Sequence, residues 1–277
     1  MMETLLYYFS FPFVRYAFIV GVLIALCAAL FGVVLVLKRF SFLGDGLSHA
    51  AFGAFAVATV LDMTNELAVV TLVTAVLAIF LLKKGRKAKV GGDAALAMVS
   101  VGALAIGYMI LNIMPGNNVS GDVCGTLFGA TSILTLSSSD VMFCAALAVV
   151  VILVFVIFYN RIFSVTFDES FAEGTGLNTE LYNTVIAVVT AVIIVVAMRF
   201  VGSLLISALI VFPALSAMQL FKSFRSTVIF SAAFAVVAAA VGIVFSVLIS
   251  TPVGPSIVVM NILIFLISSA LGRMLKV

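Results

Sequence analysis

Charge is scarce in this chain: 14 lysines and arginines and 11 aspartates and glutamates stand among 277 residues, 9% in all. Hydrophobic residues make up 65%, and the mean hydropathy is +1.40. No stretch is long and polar enough to fold as a soluble domain. The composition is that of a polytopic membrane protein, all-α and embedded in lipid. The net charge of +3 does not point to nucleic acid, because the basic residues cluster at helix ends, where topology accounts for them. Cysteine is sparse too. Cys27, Cys124 and Cys144 form no CxxC pair and have no ligand-like spacing to a histidine, so they read as small apolar fillers. No basic n-region opens the chain, and LLYYFSFPF reads as an interfacial lead-in to the first span rather than a cleavable signal. No GxxxxGK[ST] loop occurs. The stretch GRKAKVGGDAA matches it in neither spacing nor context, which excludes ATP hydrolysis by that route within this chain. HExxH is absent as well. Ser48 beside His49 makes no dyad, since consecutive residues point to different helix faces, and intramembrane proteolysis is left with little support.

What is present is a series of apolar runs, each near the ~20 residues needed to cross a bilayer. Nine can be placed, at 16–37, 44–61, 66–82, 94–113, 140–158, 183–198, 203–220, 227–249 and 256–272. The sixth and seventh are separated only by Met198, Arg199, Phe200 and Val201. A tilted pair, a helical hairpin and one broken helix all fit, for eight or nine spans. Lys38 with Arg39, the run KKGRKAK, Arg161, Lys222 with Arg225, and Arg273 with Lys276 all follow odd-numbered spans. By the positive-inside rule those ends are cytoplasmic, with the N-terminus outside and the C-terminus inside. Arg199 is the exception. In a bacterial setting this is an inner-membrane protein.

Two breaks are more than turns. Residues 117–138 are too polar for a lipid-facing span and too apolar for a free loop, which fits a re-entrant or interfacial segment packed on protein. Residues 161–182, RIFSVTFDESFAEGTGLNTELY, form the longest polar break on the cytoplasmic side. There Phe167, Phe171 and Gly174 share helical spacing while Asp168, Glu169 and Glu173 fall elsewhere. The pattern predicts a short amphipathic helix, ended by Gly174 or Gly176, that either docks on a soluble partner or serves as a solvated linker.

His49, the only histidine, lies four residues after Asp45 in FSFLGDGLSHAAF. On a helix the two project from one face and can share a ligand or bond each other. Ionisable groups at membrane depth usually face a bundle interior or a pathway. Small residues recur at Gly46, Ala50 and Ala54 and at Ala238, Ala239, Ala240 and Gly242, which suits close helix packing or a dimer seam. Pro213 interrupts a span and frees the carbonyl of Leu209, with Ser207 and Ser216 near enough to compensate. The kinked helix is either a moving part or a static bend.

Five stretches in order resemble the membrane permease of ATP-binding-cassette importers for zinc, manganese and iron. They are residues 11–53 with a Gly-Asp pair followed by Ser-His, CGTLFG, TFDESFAEGTGL, VGSLLISALIVFPALSA and TPVGPSIVV. One departure is the absence of a proline just before Gly53. The resemblance implies one transmembrane permease domain over 1–277, with 160–182 as a cytoplasmic coupling segment, and a homodimer around a metal path. It implies Asp45 and His49 as metal contacts on that path. Phe167, Asp168, Glu169, Phe171, Glu173 and Gly176 become the ATPase-coupling residues, with Pro213 and Ser207 at the kink. No permanently bound cofactor is expected, only the transported divalent ion.

Carboxylate with imidazole suits Zn(II), Mn(II) or Fe(II), and two ligands are too few for a closed site. The expected partners are a cytoplasmic ATPase subunit, an extracellular or periplasmic metal-binding protein, a second copy of the chain and lipid, with no nucleic acid. The chain itself is no enzyme. Because histidine ligates only when neutral, acid should weaken transport. The alternatives from the same residues are a proton- or ion-coupled carrier using Asp45 and His49 as a relay, and a non-transporting scaffold in which the pair pins helices.

Overall fold

A computed structural model describes residues 7–84, 92–113 and 136–275. Among them the chain is helical, with no strand, as its apolar runs require: in lipid the backbone must satisfy its own polar groups. The helices are α1 Pro12–Leu37, α2 Leu43–Val60, α3 Glu66–Lys84, α4 Gly92–Ile113, α5 Ser138–Ile157, α6 Tyr159–Phe167, α7 Glu169–Gly174, α8 Thr179–Val201, α9 Ser203–Leu220, α10 Phe224–Ile249 and α11 Val253–Leu275. Every run read as a span is a helix. Seven of them are long and apolar enough to cross a membrane by length and composition. The other two are α2, which carries Asp45 and His49, and the shorter α3. The segment read as re-entrant, the CGTLFG stretch, Cys124 and most of KKGRKAK lie outside the described residues.

Polar residues mark the helix boundaries. Ser137 and Asp140 cap α5 reciprocally, each backbone N–H donating to the other's side chain at 3.0 and 3.4 Å. The side chains of Asn178 and Ser223 accept from Leu181 N at 3.1 Å and Ser226 N at 3.2 Å, opening α8 and α10. Between α8 and α9 the break is a single residue, Gly202, at φ 96°. A Cβ is poorly tolerated there, so the chain turns at the glycine and two helices replace one. The sixth and seventh runs are thus two helices, Thr179–Val201 and Ser203–Leu220.

Alpha1 and α8 are central: 72% and 67% of their apolar stretches are buried, against 22% for α4 and α5. Ser231 donates to the Ala29 carbonyl at 3.5 Å, and a Cβ on Gly21 would meet Ile243 at 2.9 Å, so α10 runs antiparallel to α1. The small residues of α2 and α10 are used within the chain, and a Cβ at Gly46 would run into the Leu96 side chain of α4. A Cβ at Gly53 of α2 would lie 2.8 Å from the Ala103 carbonyl of α4, and one at Gly242 would lie 2.7 Å from Ile257 of α11. Such near-backbone approaches are what small residues permit.

One end of the bundle gathers α6, α7, the last residues of α1 and the first of α8 and α10. Phe224 packs against Tyr159, Phe163 and Phe167, with ring centroids 5.5, 5.3 and 5.9 Å away. Lys38, Arg39, Arg161, Lys222 and Arg225 sit at that end. Arg199 lies in the last turn of α8 at the opposite end, its guanidinium 5.6 Å from the Phe200 ring. Arg15, in the first turn of α1, joins it, so Arg199 is not the sole basic residue there.

Candidate functional site

Leu43, Leu47 and Ala51 recur every four residues along α2 and are fully buried, which fixes the helix on the core. Asp45 and His49 repeat at the same interval on another face, their side chains 48% and 20% exposed. Asp45 sits in the first turn of α2, where the helix N-terminus favours a carboxylate. His49 Nε2 lies 3.5 Å from Asp45 Oδ1. That is long for an N–H···O bond, whose usual range ends near ~3.2 Å. Two donors each about 2.1 Å from one ion at the tetrahedral angle are separated by about 3.4 Å. The pair is therefore spaced as ligands of one small cation would be.

The other imidazole nitrogen, Nδ1, is buried without a hydrogen-bond partner. Ser48 donates to the Asp45 backbone carbonyl at 2.8 Å, turning back on its own helix rather than toward the imidazole. No group of three or more His, Cys, Asp or Glu side chains that could hold a metal occurs among the described residues. A metal held by one copy would thus have two of these ligands and open positions.

The second element of the site is α9. Ser207 Oγ lies 3.4 Å from Asp45 Oδ1 and donates to it. A Cβ on Gly44 would stand 2.9 Å from Ile210 Cδ1 and 3.6 Å from Ser207 Cα, so α2 begins directly on α9. Gly32 of α1 abuts the Ile210 carbonyl from another side. Pro213 is buried one turn further on, and α9 stays helical through it. Neither serine compensates at Leu209 as the sequence led one to expect. Ser216 donates to the Phe212 carbonyl at 2.7 Å, and Ser207 serves Asp45.

Residues 161–182 differ from the single amphipathic helix expected. Phe167 ends α6, Asp168 is extended at φ −145°, ψ 97°, and Phe171 lies in α7. The break arises because Asp168 caps α7, accepting from Phe171 N at 2.9 Å. Gly174 closes α7, and Gly176 adopts φ 82°. The acids are engaged within the chain: Glu173 accepts from Thr179 Oγ1 at 2.7 Å and Glu169 from Asn183 Nδ2 at 2.7 Å. Two aromatic rings are displayed beside them, Phe167 and Phe171, 57% and 68% exposed.

One residue that sequence reasoning passed over is Asn183. Asn183 is 8% exposed, and its Oδ1 accepts from Lys38 Nζ. A buried amide in the first turns of an apolar helix was the signal available; Lys38 had been read only as a topology marker. Cys27 and Cys144 are free and buried, lining one small apolar cavity with Leu147, Ile193 and Val196.

Comparison with known proteins gives one direction. Residues 10–272 match the model of the ABC 3 transport family. The high-affinity zinc uptake system membrane protein ZnuB of Haemophilus influenzae is 26% identical over 252 residues, spanning 91% of this chain and 95% of that protein. The manganese import system permease protein ScaB of Streptococcus gordonii is 27% identical over 259 residues, spanning 94% and 91%. Among solved structures, PsaBC from Streptococcus pneumoniae in complex with Fab superposes with a TM-score of 0.85 at 25% identity, covering 97% of this chain and 95% of that one. The resemblance drawn from five short stretches thus extends through the helical bundle, and this multi-span membrane chain belongs to the ABC 3 transport family.

Proposed function

We propose that the chain is the permease subunit of an importer that brings zinc or manganese into the cytoplasm, with iron as the third candidate cargo. The observation that carries this reading is the Asp45–His49 spacing of 3.5 Å, long for a hydrogen bond and matched to two ligands of one ion. Carboxylate plus imidazole suits first-row divalent ions, and a site with two ligands per copy lets the ion leave. A second copy related by two-fold symmetry would supply another Asp45 and His49 along a shared path. The names of the zinc and manganese relatives point the same way.

The end carrying α6 and α7 faces the cytoplasm in this reading, supported by the basic residues Lys38, Arg39, Arg161, Lys222 and Arg225 gathered there. Its displayed Phe167 and Phe171 are the contacts for a separate ATP-hydrolysing subunit. An external metal-binding protein would deliver the ion at the opposite end. Residues 1–277 act as one permease domain with 160–182 as its coupling segment, and no resident cofactor is needed.

The test is tracer zinc and manganese uptake in cells lacking their own importers. These cells express the chain with its candidate ATPase, and His49→Ala is compared at matched membrane abundance. Uptake that needs the ATPase and vanishes in His49→Ala is expected, and the preferred tracer identifies the cargo. Uptake persisting in the variant would reduce His49 to a packing residue. Uptake without the ATPase would transfer the chain to the ion-coupled carriers.

A further inference from the structure

Asp45 and His49 lie on α2, and the partner contact proposed above lies on α6 and α7. Something within the chain has to join them. Three side chains from three elements meet between these regions. Lys38, the C-cap of α1, donates through Nζ to Asn183 Oδ1 of α8, and Asn183 Nδ2 donates to Glu169 Oε1 of α7 at 2.7 Å. Asn183 is 8% exposed, so both of its bonds to charged groups are largely shielded from water. Hydrogen bonds to charged partners are among the stronger ones, and a buried amide that loses them carries the full desolvation cost. An asparagine suits this place because it offers an acceptor to a cation on one side and a donor to a carboxylate on the other.

The geometry points to Lys38, Asn183 and Glu169 as a strap of positioning residues that ties the coupling helix α7 to the turn between α1 and α2, and so to Asp45 and His49. The inference rests on the permease reading for its purpose. The tie itself rests on the three side chains. Lys38 is followed by Arg39 in the left-handed region at φ 64°, and the Leu43 amide donates to the Phe40 carbonyl at 3.0 Å, so the turn is short and held by its own backbone. A displacement of Lys38 is therefore passed into the first turn of α2 instead of being absorbed by a loose loop. Glu173, accepting from Thr179 Oγ1 at 2.7 Å, fixes the other end of α7 to the start of α8. The coupling helix and α8 then move together, and Asn183 carries that motion across to α1.

Two measurements test the strap. In the full-length chain in lipid nanodiscs, Asn183→Leu should raise amide hydrogen exchange both in α7 and across residues 39–45, while equilibrium dialysis shows zinc or manganese binding unchanged. Faster exchange confined to α7, or none in either place, overturns the tie whether or not the chain carries metal. In proteoliposomes containing the chain, its ATPase subunit and its metal-binding protein, Asn183→Leu should leave the rate of ATP hydrolysis unaltered. It should lower the metal moved per ATP by about tenfold or more, because both bonds to charged groups are lost. Lys38→Met should do the same, and the double variant should be no worse than either single one. An unchanged ratio of metal to ATP, or independent additive losses, overturns the strap. If the unaltered complex moves no metal while the exchange result holds, the permease reading fails and the tie stands.

Discussion

Two acidic regions of this molecule are built in opposite ways. On α7 and at its cap, Asp168, Glu169 and Glu173 each accept a bond of 2.7–2.9 Å from a named group of the chain. On α2, Asp45 has a serine at 3.4 Å and an imidazole nitrogen at 3.5 Å, and the second nitrogen of that imidazole has no partner although it is buried. The first region has used its carboxylates to shape the fold. The second leaves a buried imidazole nitrogen unsatisfied, an arrangement that costs free energy. Carboxylates near a proposed docking surface are easily taken for its recognition element. Here each carboxylate already has a partner within the chain, and the rings of Phe167 and Phe171 stand exposed beside them.

Removing either half of the open pair should have the largest effect. His49→Ala or Asp45→Ala should weaken zinc or manganese binding to the purified chain by about a hundredfold, since each removes one of only two ligands. The thermal midpoint should stay close to that of the unaltered chain. A large fall in midpoint with binding preserved would turn the pair into a helix pin and erase the contrast. At the coupling end, Phe171→Ala should cost about 2 kcal/mol of affinity for the ATPase subunit, read by surface-immobilised binding, as truncation of an exposed aromatic anchor does. Equal binding by the two forms would place the docking surface elsewhere.

Ser207→Ala sharpens the comparison from within the site. Loss of the hydroxyl that faces Asp45 Oδ1 should weaken metal binding by about tenfold through misorientation of the carboxylate, with thermal stability retained. Binding that matches the unaltered chain would leave Ser207 as a packing residue of α9. The smallest effect belongs to Asp168. Asp168→Ala should lower stability by about 1 kcal/mol through loss of the α7 cap, whereas Asp168→Asn, an equally good cap, should not. Both should bind metal like the unaltered chain. Thermal melts of the two variants side by side separate a capping role from a charge role.

The apolar runs were legible because a bilayer span must be long and uniformly apolar, and each run is a helix in the structure. The coupling segment was misread as one helix because the periodicity of Phe167 and Phe171 continues across the break. Periodicity registers side-chain spacing, and it does not register that Asp168 leaves helical geometry to cap the next turn. The partner of Ser207 was misread for a related reason: Ser207 lies near Leu209 in sequence, yet its hydroxyl turns to a carboxylate 162 residues away.

The sequence by itself determined the membrane class, the helical architecture and the Asp45–His49 spacing, because hydropathy and i,i+4 geometry are local properties that hold in any context. Tertiary structure decided what those residues meet. Gly202 turns α8 from α9, Ser207 reaches Asp45, and Asn183 bridges Lys38 and Glu169. The Ser207–Asp45 and Asn183–Lys38 contacts join residues 162 and 145 positions apart, and helix packing, which no local pattern encodes, brings them within bonding distance.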